Sequence, residues 1–333
     1  MTPVKPLISI VVPVFNEEAN ILPFYDAVCA ETGKLEDLYR FEFVFTDNHS
    51  SDQTFPLLRD LAARDSRVHA YRFSRNFGFQ RSIMTGYTRA RGDAAIQLDV
   101  DLQDPPELIA TFLQEWQQGA DVVYGVRIKR QESWLLNLQR IIFYRLIDRL
   151  SEEKIPVDAG DFRLISRRII DLLKSFEDAQ PYLRGTIATM GFKQVGIPYS
   201  RNARLRGESK FPFSKLVSLA LDGILNHSVV PLRLSTYFGL IISVITLISI
   251  IGYTSAKLIF RSQWPAGFAT LAALSLASIS INAMLLGIIG EYLGRMYQQL
   301  KKQPLTIIED VAGVAEGDNL SLTSTVTNSL SGN

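Results

Sequence analysis

The sequence has few of the features that stabilise secreted proteins or attract nucleic acids. Its 333 residues include one cysteine, Cys29, which excludes an internal disulfide and a cysteine cluster for zinc, and this indicates a reducing compartment. The formal net charge is only +1, so nothing predicts a nucleic-acid partner. The N-terminal residues lack the basic segment, apolar run and cleavage site of a secretory signal, and we expect none.

The two common nucleotide-binding fingerprints are also missing. No G-x-G-x-x-G follows the first predicted strand, and no G-x-x-x-x-G-K-[ST] occurs in the chain. Both motifs supply glycines that let a phosphate approach the backbone. Their absence disfavours a dinucleotide-binding fold and a P-loop, so any nucleotide site must use other residues.

Apolar runs and helical segments alternate over residues 7 to about 200. The composition, 47% hydrophobic and 21% charged, indicates a folded core of enzyme size. Five runs have the composition of buried strands and are mostly separated by amphipathic stretches: LISIVVPVF, FEFVFTD, RVHAYRF, DAAIQLDV and DVVYGV. This pattern predicts an α/β domain with a mainly parallel, Rossmann-like sheet.

Ligands of such sheets bind at the carboxyl ends of the strands. We therefore expect one site to be built from the polar residues that follow the five strands. These residues are Asn16 and Glu17, Asp47, Arg75 and Asn76, Asp99 and Asp101, and Arg127.

The stretch LDVDLQDPPE, residues 98–107, carries the strongest chemical signal. Asp99 and Asp101 project to the same side of an extended segment, which suits Mg²⁺ or Mn²⁺ with a bound diphosphate completing the coordination. An EF-hand calcium loop is excluded, because it needs glycine and glutamate where this chain has Asp104 and Ala110. For Asp104 alone, capping of the following helix is an equally good interpretation.

Two uncharged stretches near the C-terminus, 234–256 and 265–290, are each long enough to cross a bilayer. We predict a catalytic domain over 1–210, an amphipathic interfacial helix over 211–232, two transmembrane helices over 233–295 and a cytoplasmic tail over 296–333, disordered after about 311. The flanking charges favour cytoplasmic termini. The alternative is two buried helices of a soluble core.

Seven motifs in order resemble a GT-A glycosyltransferase of family two, and they cover roughly residues 7–300. They are VVPVFNEEANI, TDNHSSDQT, FSRNFGFQRSIMTGY, LDVDLQDPPE, GVRIKR, DAGDFRLISRR and RLRGESKF. The most similar subgroup is the polyprenyl-phosphate glycosyltransferases, which include bactoprenol glucosyltransferase and dolichol-phosphate mannose synthase. One departure is visible: the family usually has D-D-G-S after its second strand, whereas this chain has Asp47-Asn48-His49-Ser50.

The resemblance implies inverting transfer of a sugar from a nucleotide-sugar to a polyprenyl phosphate at the cytoplasmic face of the plasma (inner) membrane. UDP-glucose and undecaprenyl phosphate are the favoured substrates, and a homo-oligomer is left open. Asp99 and Asp101 would hold the metal and the diphosphate. The nucleoside would be held by Asp47, Arg75 and the loop Pro13–Glu17, and the sugar would lie near Gln103 and Asp104. Asp161 would orient the acceptor or act as a weak base, unless it only stabilises its loop by pairing with Arg163.

A phosphate acceptor is already anionic, so it needs cations and positioning more than a strong base. Two arginines, Arg127 and Arg130, follow the fifth strand, and Arg206 and Lys210 precede the membrane segments; we expect these cations to bind the acceptor phosphate. Arg201 and Arg204 are equally well explained as charges that contact anionic lipid headgroups. Three alternatives stay open: another donor, such as GDP-mannose or an amino-sugar nucleotide; a processive polysaccharide synthase, whose Q-x-x-R-W motif is absent; and a non-catalytic nucleotide-sugar-binding scaffold.

Overall fold

The computed structural model describes residues 4–127, 159–176, 181–200, 267–300 and 304–313, with isolated positions between 237 and 255. The chain divides into two units. One contains residues 1–139, 155–210 and 302–333, and the other contains residues 140–154 and 211–301.

The first unit is built on one eight-stranded sheet. Its strands are β1 (Leu7–Val14), β2 (Arg40–Asp47), β3 (Val68–Phe73), β4 (Ala94–Gln97), β5 (Val122–Arg127), β6 (Ala159–Ser166), β7 (Gln194–Tyr199) and β8 (Ile308–Ala312), in the spatial order β7-β5-β6-β4-β1-β2-β3-β8. Strands β4, β1, β2 and β3 are parallel, as are β5 and β7, while β6 and β8 are antiparallel to their neighbours. The predicted α/β fold with a mainly parallel sheet is therefore confirmed.

Helices cover both faces of this sheet. They are α1 (Ile21–Gly33), α2 (Thr54–Arg64), α3 (Phe79–Arg89), α4 (Leu108–Gln117), α5 (Arg167–Lys174) and α6 (Leu183–Thr189). Neighbouring residues of β1 pack on opposite sides: Ile10 joins the core cluster of α1, α2 and α4, and Val11 joins that of α3, α5 and α6. Burial on both faces explains why the strands are continuous apolar runs without an alternating polar face.

Strand β8 differs from the prediction, which assigned residues 296–333 to a tail. It pairs antiparallel with β3, so this C-terminal segment belongs to the sheet of the first unit. Ile308 and Val311 pack against the core cluster of α3, and Ala312 is buried. The physical reason is that β3 would otherwise be an edge strand with unpaired backbone groups, and a short apolar segment satisfies them.

The second unit contains the long helix α7 (Phe268–Leu300), which includes most of the second predicted membrane span. Within the described residues one stretch, Ala277–Gly294, is long and apolar enough to cross a membrane, and none of it is buried. The amphipathic helix predicted over 211–232 lies outside the described residues, and only isolated positions of the first predicted span, 234–256, are described, each of them helical. The two-helix hairpin therefore stays a prediction.

Candidate active site

The carboxyl ends of β1, β2, β3, β4, β5 and β7 meet at one edge of the sheet. The antiparallel strand β6 begins at this same edge, because its last residue pairs with the first residue of β4. Every described polar residue that the sequence analysis assigned to a site lies here, on the strand ends or the loops that follow them. Parallel strand topology thus brings together residues that are separated by more than 100 positions.

The loop after β2 is organised around the buried carboxylate of Asp47. Ser50 donates to its Oδ1 from the backbone N (3.1 Å) and from Oγ (2.5 Å), and Arg72 Nη1 lies 3.4 Å from its Oδ2. Burial raises the pKa of Asp47 above its ordinary value, although the hydrogen bonds from Ser50 and the charge of Arg72 oppose this. Asp47 is therefore held in a fixed orientation before any ligand binds.

The loop after β1 is hydrogen-bonded to the loop after β2. Asn16 donates from its backbone N to Ser50 Oγ (2.9 Å) and accepts from Ser51 N (2.8 Å). The backbone N of Glu17 donates to Thr54 Oγ1 (2.9 Å). Pro13 is buried within β1, where it lies opposite Thr46. These contacts place the predicted nucleoside residues in one connected pair of loops.

The loop after β3 closes the same side of the site. The guanidinium of Arg75 lies over the ring of Phe77, 4.2 Å from its centroid, and the backbone N of Phe77 donates to Asn48 Oδ1 (2.8 Å). Arg75 is thereby directed by a cation–π contact. The structure brings Arg75 into the same loop group as Asp47.

Asp99 and Asp101 follow β4 and form the acidic part of the site. Burial, together with the charges of Asp104, Asp161 and Asp101, raises the pKa of Asp99 to about 7, while a hydrogen bond from Gln97 Nε2 (2.8 Å) opposes the rise. Asp101 Oδ1 accepts from the backbone N of Gln103 (3.2 Å). A divalent cation would relieve this concentration of negative charge, so the carboxylates fit a metal.

The number of protein ligands is small. Among the described residues, no three His, Cys, Asp or Glu side chains converge on one point where an ion could be held. A hard cation bound by Asp99 and Asp101 would therefore need further oxygen atoms from outside the protein, and a nucleoside diphosphate supplies them. The predicted pair of carboxylates with a bound diphosphate has the same requirement.

Asp104 lies in a polar cluster and does not cap the following helix. Helix α4 begins after Glu107, whereas Asp104 is buried and its Oδ1 accepts from Tyr199 Oη (2.5 Å). Arg127 Nη2 lies 4.0 Å from the same oxygen, and Arg127 Nε donates to Tyr199 Oη (3.3 Å). Burial and Asp104 raise the pKa of Tyr199 to about 12, so the phenol keeps its proton at neutral pH. The helix-cap interpretation of Asp104 is wrong.

Asp161 has a different partner from the one considered in the sequence analysis. Arg184, at the start of α6, donates Nε to Oδ1 (2.8 Å) and Nη2 to Oδ2 (2.6 Å). Arg163 instead donates to the carbonyl of Gly160 (2.8 Å). Burial alone would raise the pKa of Asp161, but Arg184, with smaller contributions from Arg163 and Gln80, outweighs it and the pKa is lowered. A carboxylate that is this well paired is a poor proton acceptor, which disfavours it as a base.

Arg184 is a site residue that the sequence analysis missed, as is Tyr199. The Arg184 side chain is partly exposed. Its pKa is raised mainly by the hydrogen bond and charge of Asp161, and the charge of Asp99 adds to this. No motif identified it, because its role depends on β6 and α6 coming together across 23 residues. The predicted acceptor cations Arg206 and Lys210, and Arg130, lie outside the described residues.

Comparison with known proteins identifies the family of this chain. The family model for glycosyl transferase family 2 matches residues 9–173. An uncharacterised glycosyltransferase of Bacillus subtilis is 38% identical over 92% of this chain and 94% of its own length. A prophage bactoprenol glucosyl transferase homologue of Escherichia coli is 37% identical over 91% and 99%. A mannosyltransferase of Pyrobaculum calidifontis, solved with GDP-mannose and Mn²⁺, aligns with 17% identity over 87% and 88% at a TM-score of 0.47.

Proposed function

Because this chain belongs to glycosyl transferase family 2 and is a glycosyltransferase of GT-A fold, we propose that it transfers a sugar to a polyprenyl phosphate with inversion. The donor is a nucleotide-sugar, with UDP-glucose as the first candidate, and the acceptor is undecaprenyl phosphate. The names of the relatives from Escherichia coli and Shigella flexneri, bactoprenol glucosyl transferases at 37% identity, support this choice.

The observation that carries the proposal is the distribution of charge at the carboxyl edge of the sheet. Asp99 and Asp101 form an acidic cluster after β4. The charge of Arg184 interacts with Asp99, and Arg127 lies 4.0 Å from Asp104, whose charge also acts on Asp99. The acidic cluster suits a cation that binds the diphosphate of a donor, and the arginines suit a phosphate. A reaction between two anionic substrates needs both kinds of site.

In this reaction an oxygen of the acceptor phosphate attacks the anomeric carbon, and the bond from that carbon to the donor diphosphate breaks. Mg²⁺ or Mn²⁺ bound by Asp99 and Asp101 would neutralise the charge of the departing nucleoside diphosphate. The acceptor oxygen carries no proton that must be removed, so the site needs no strong base. The lowered pKa of Asp161 and its pairing with Arg184 fit a role in orienting the acceptor.

The remaining residues have positioning roles in this proposal. Asp47, Asn16, Glu17, Arg75 and the backbone around Pro13 hold the nucleoside. Gln103 and Asp104 lie near the sugar, where Tyr199 and Arg127 fix the Asp104 carboxylate. The hydrogen-bonded loops support this assignment, because groups locked before binding lose little freedom when the donor binds.

The acceptor and the bilayer belong to the C-terminal part of the proposal. Arg206 and Lys210 bind the lipid phosphate, and two membrane spans keep the active site on the cytoplasmic face, where nucleotide-sugars are made. The apolar stretch Ala277–Gly294 supports one of these spans. A reporter fused at Asn333 should then be cytoplasmic, and one inserted near Ser262 should not.

A substrate panel tests the function directly. The purified full chain is incubated with UDP- and GDP-sugars and undecaprenyl phosphate, with Mn²⁺ or with EDTA, and the lipid product is analysed by mass spectrometry. We expect one hexose added from UDP-glucose, only with metal. Transfer from GDP-mannose or an amino-sugar nucleotide alone would replace the donor, products with many sugars would indicate a polymerase, and no lipid product with any donor would refute the proposal.

A further inference from the structure

The loop after β2 contains a residue whose backbone is unfavourable and whose side chain makes specific contacts. His49 has φ of 64°, in the left-handed region that favours glycine. The family that this chain resembles usually has glycine at this position. A non-glycine residue in a costly conformation persists where the surrounding structure holds it, and such residues cluster at functional sites.

The imidazole of His49 joins three segments of the chain. Its Nδ1 lies 2.9 Å from the carbonyl oxygen of Phe73, at the end of β3, and 3.3 Å from Oε2 of Glu309, at the register shift where β8 meets the end of β3. Since His49 is two residues from Asp47, these contacts connect the loop after β2 to strand β8.

Glu309 reaches the same loop by a second route. Its Oε2 lies 3.6 Å from Arg72 Nε, and Arg72 in turn lies 3.4 Å from Asp47 Oδ2 and donates to the carbonyl of Ser50 (3.1 Å). Glu309 therefore contacts both Arg72, which lies beside the Asp47 carboxylate, and His49, which follows Asp47 by two residues. The half-exposed position of Glu309 limits the strength of each pair, but two contacts act together.

We propose that His49 and Glu309 are positioning residues for the nucleotide of the donor, so that strand β8 completes the donor site. The inference rests on the proposed function, because it assumes that the Asp47 loop binds a nucleoside. Neither residue needs to touch the donor. They hold Asp47, Arg72 and Ser50 in the arrangement that binds it.

Nucleotide binding tests the inference separately from sugar transfer. Binding of UDP and of GDP, each with Mn²⁺, is measured by calorimetry on the full chain in detergent. Glu309→Gln should weaken binding of the preferred nucleotide by about three- to tenfold. Glu309→Asp, which keeps the charge, should retain most of the affinity, and turnover at saturating donor should change less than twofold in both variants.

Two further variants separate positioning from stability. Asp310→Asn removes a neighbouring carboxylate of the same strand, which pairs with Arg59 on α2, and should leave nucleotide affinity unchanged. His49→Gly relieves the left-handed backbone while removing the imidazole, so the melting temperature should stay equal or rise while nucleotide binding weakens about as much as in Glu309→Gln.

The results have distinct meanings. Wild-type affinity in both Glu309→Gln and His49→Gly, or an equal loss in Asp310→Asn, would overturn the inference. Nucleotide binding by the wild type without transfer to a polyprenyl phosphate would refute only the proposed acceptor. Failure of the wild type to bind either nucleotide would refute the proposed function, and the inference with it.

Discussion

The raised pKa of Asp99 makes a prediction about stability that does not depend on knowing the substrates. Asp99 has a pKa of about 7 in the folded protein, against an ordinary value of 3.8, because burial and three carboxylates oppose its ionisation. A carboxyl group of this kind destabilises the fold increasingly as pH rises from about 4 to about 7, and the full cost remains above 7. Asp99→Asn removes the ionisation and should therefore stabilise the metal-free protein at high pH.

The structure sets the size of this effect. The pKa difference of about 3 pH units corresponds to ~4 kcal/mol at about 1.36 kcal/mol per unit, and this is an upper limit. Asp99 is only partly enclosed, and water screens part of the repulsion, so we expect about 1–2 kcal/mol. Between pH 5.5 and 8 the advantage of Asp99→Asn should grow by about 1 kcal/mol, or roughly 2–4 °C in melting temperature for a domain of this size.

The assay is thermal unfolding of the full chain in detergent with EDTA at pH 5.5, 7 and 8. Asp60→Asn, on the exposed surface of α2, is the matched control and should behave as the wild type at each pH. Mn²⁺ with UDP should then stabilise the wild type but not Asp99→Asn, because the cation needs the carboxylate. If Asp99→Asn is no more stable than the wild type at pH 8, the argument from desolvation and carboxylate repulsion is refuted.

Three further substitutions test other parts of the site. Asp101→Asn should lower turnover at least about 100-fold, as EDTA should in the wild type, and full activity in chelator would exclude the metal. Arg184→Gln leaves the buried carboxylate of Asp161 without its strongest partner, so the acceptor KM should rise and the melting temperature should fall. Adding Asp161→Asn to this variant should partly restore the melting temperature. An unchanged acceptor KM would mean that the pair is purely structural. Arg206→Ala should impair use of lipid acceptor about ten- to 100-fold with donor KM unchanged, whereas equal effects of Arg201→Ala would indicate only a headgroup flank.

The sheet and the grouping of polar residues at its carboxyl edge could be predicted because they depend on local patterns. Continuous apolar runs identified β1 to β5, and the rule that ligands bind at the carboxyl ends of parallel strands selected Asp47, Asp99 and Arg127. These residues lie within a few positions of a strand end, so short-range periodicity was sufficient. The structure adds the order of the strands and the hydrogen bonds between neighbouring loops.

Long-range pairs could not be predicted, because one sequence contains no signal for which distant residues meet. Arg184 and Asp161 illustrate this, since the arginine closer in sequence, Arg163, lies within the same strand and donates to a backbone carbonyl. Asp104 is similar, because its position before a helix predicted a cap. Its true partner, Tyr199, is 95 residues away and reaches it only because β7 lies beside β5.

Strand β8 shows why a segment can look like a tail and still belong to the core. Residues 308–312 are too few and too polar to specify a strand alone, and Glu309 and Asp310 interrupt the apolar pattern. The edge of β3 makes this segment a strand, because the backbone groups of β3 pair with it and because Arg72 and His49 contact the carboxylate of Glu309. Glu309, whose charge made the segment look solvated, therefore helps to hold β8 beside the loop after β2, whereas Asp310 pairs with Arg59 on α2. A chain truncated after Leu305 would lose the strand and both carboxylate contacts together, so its donor affinity should fall further than that of Glu309→Gln alone.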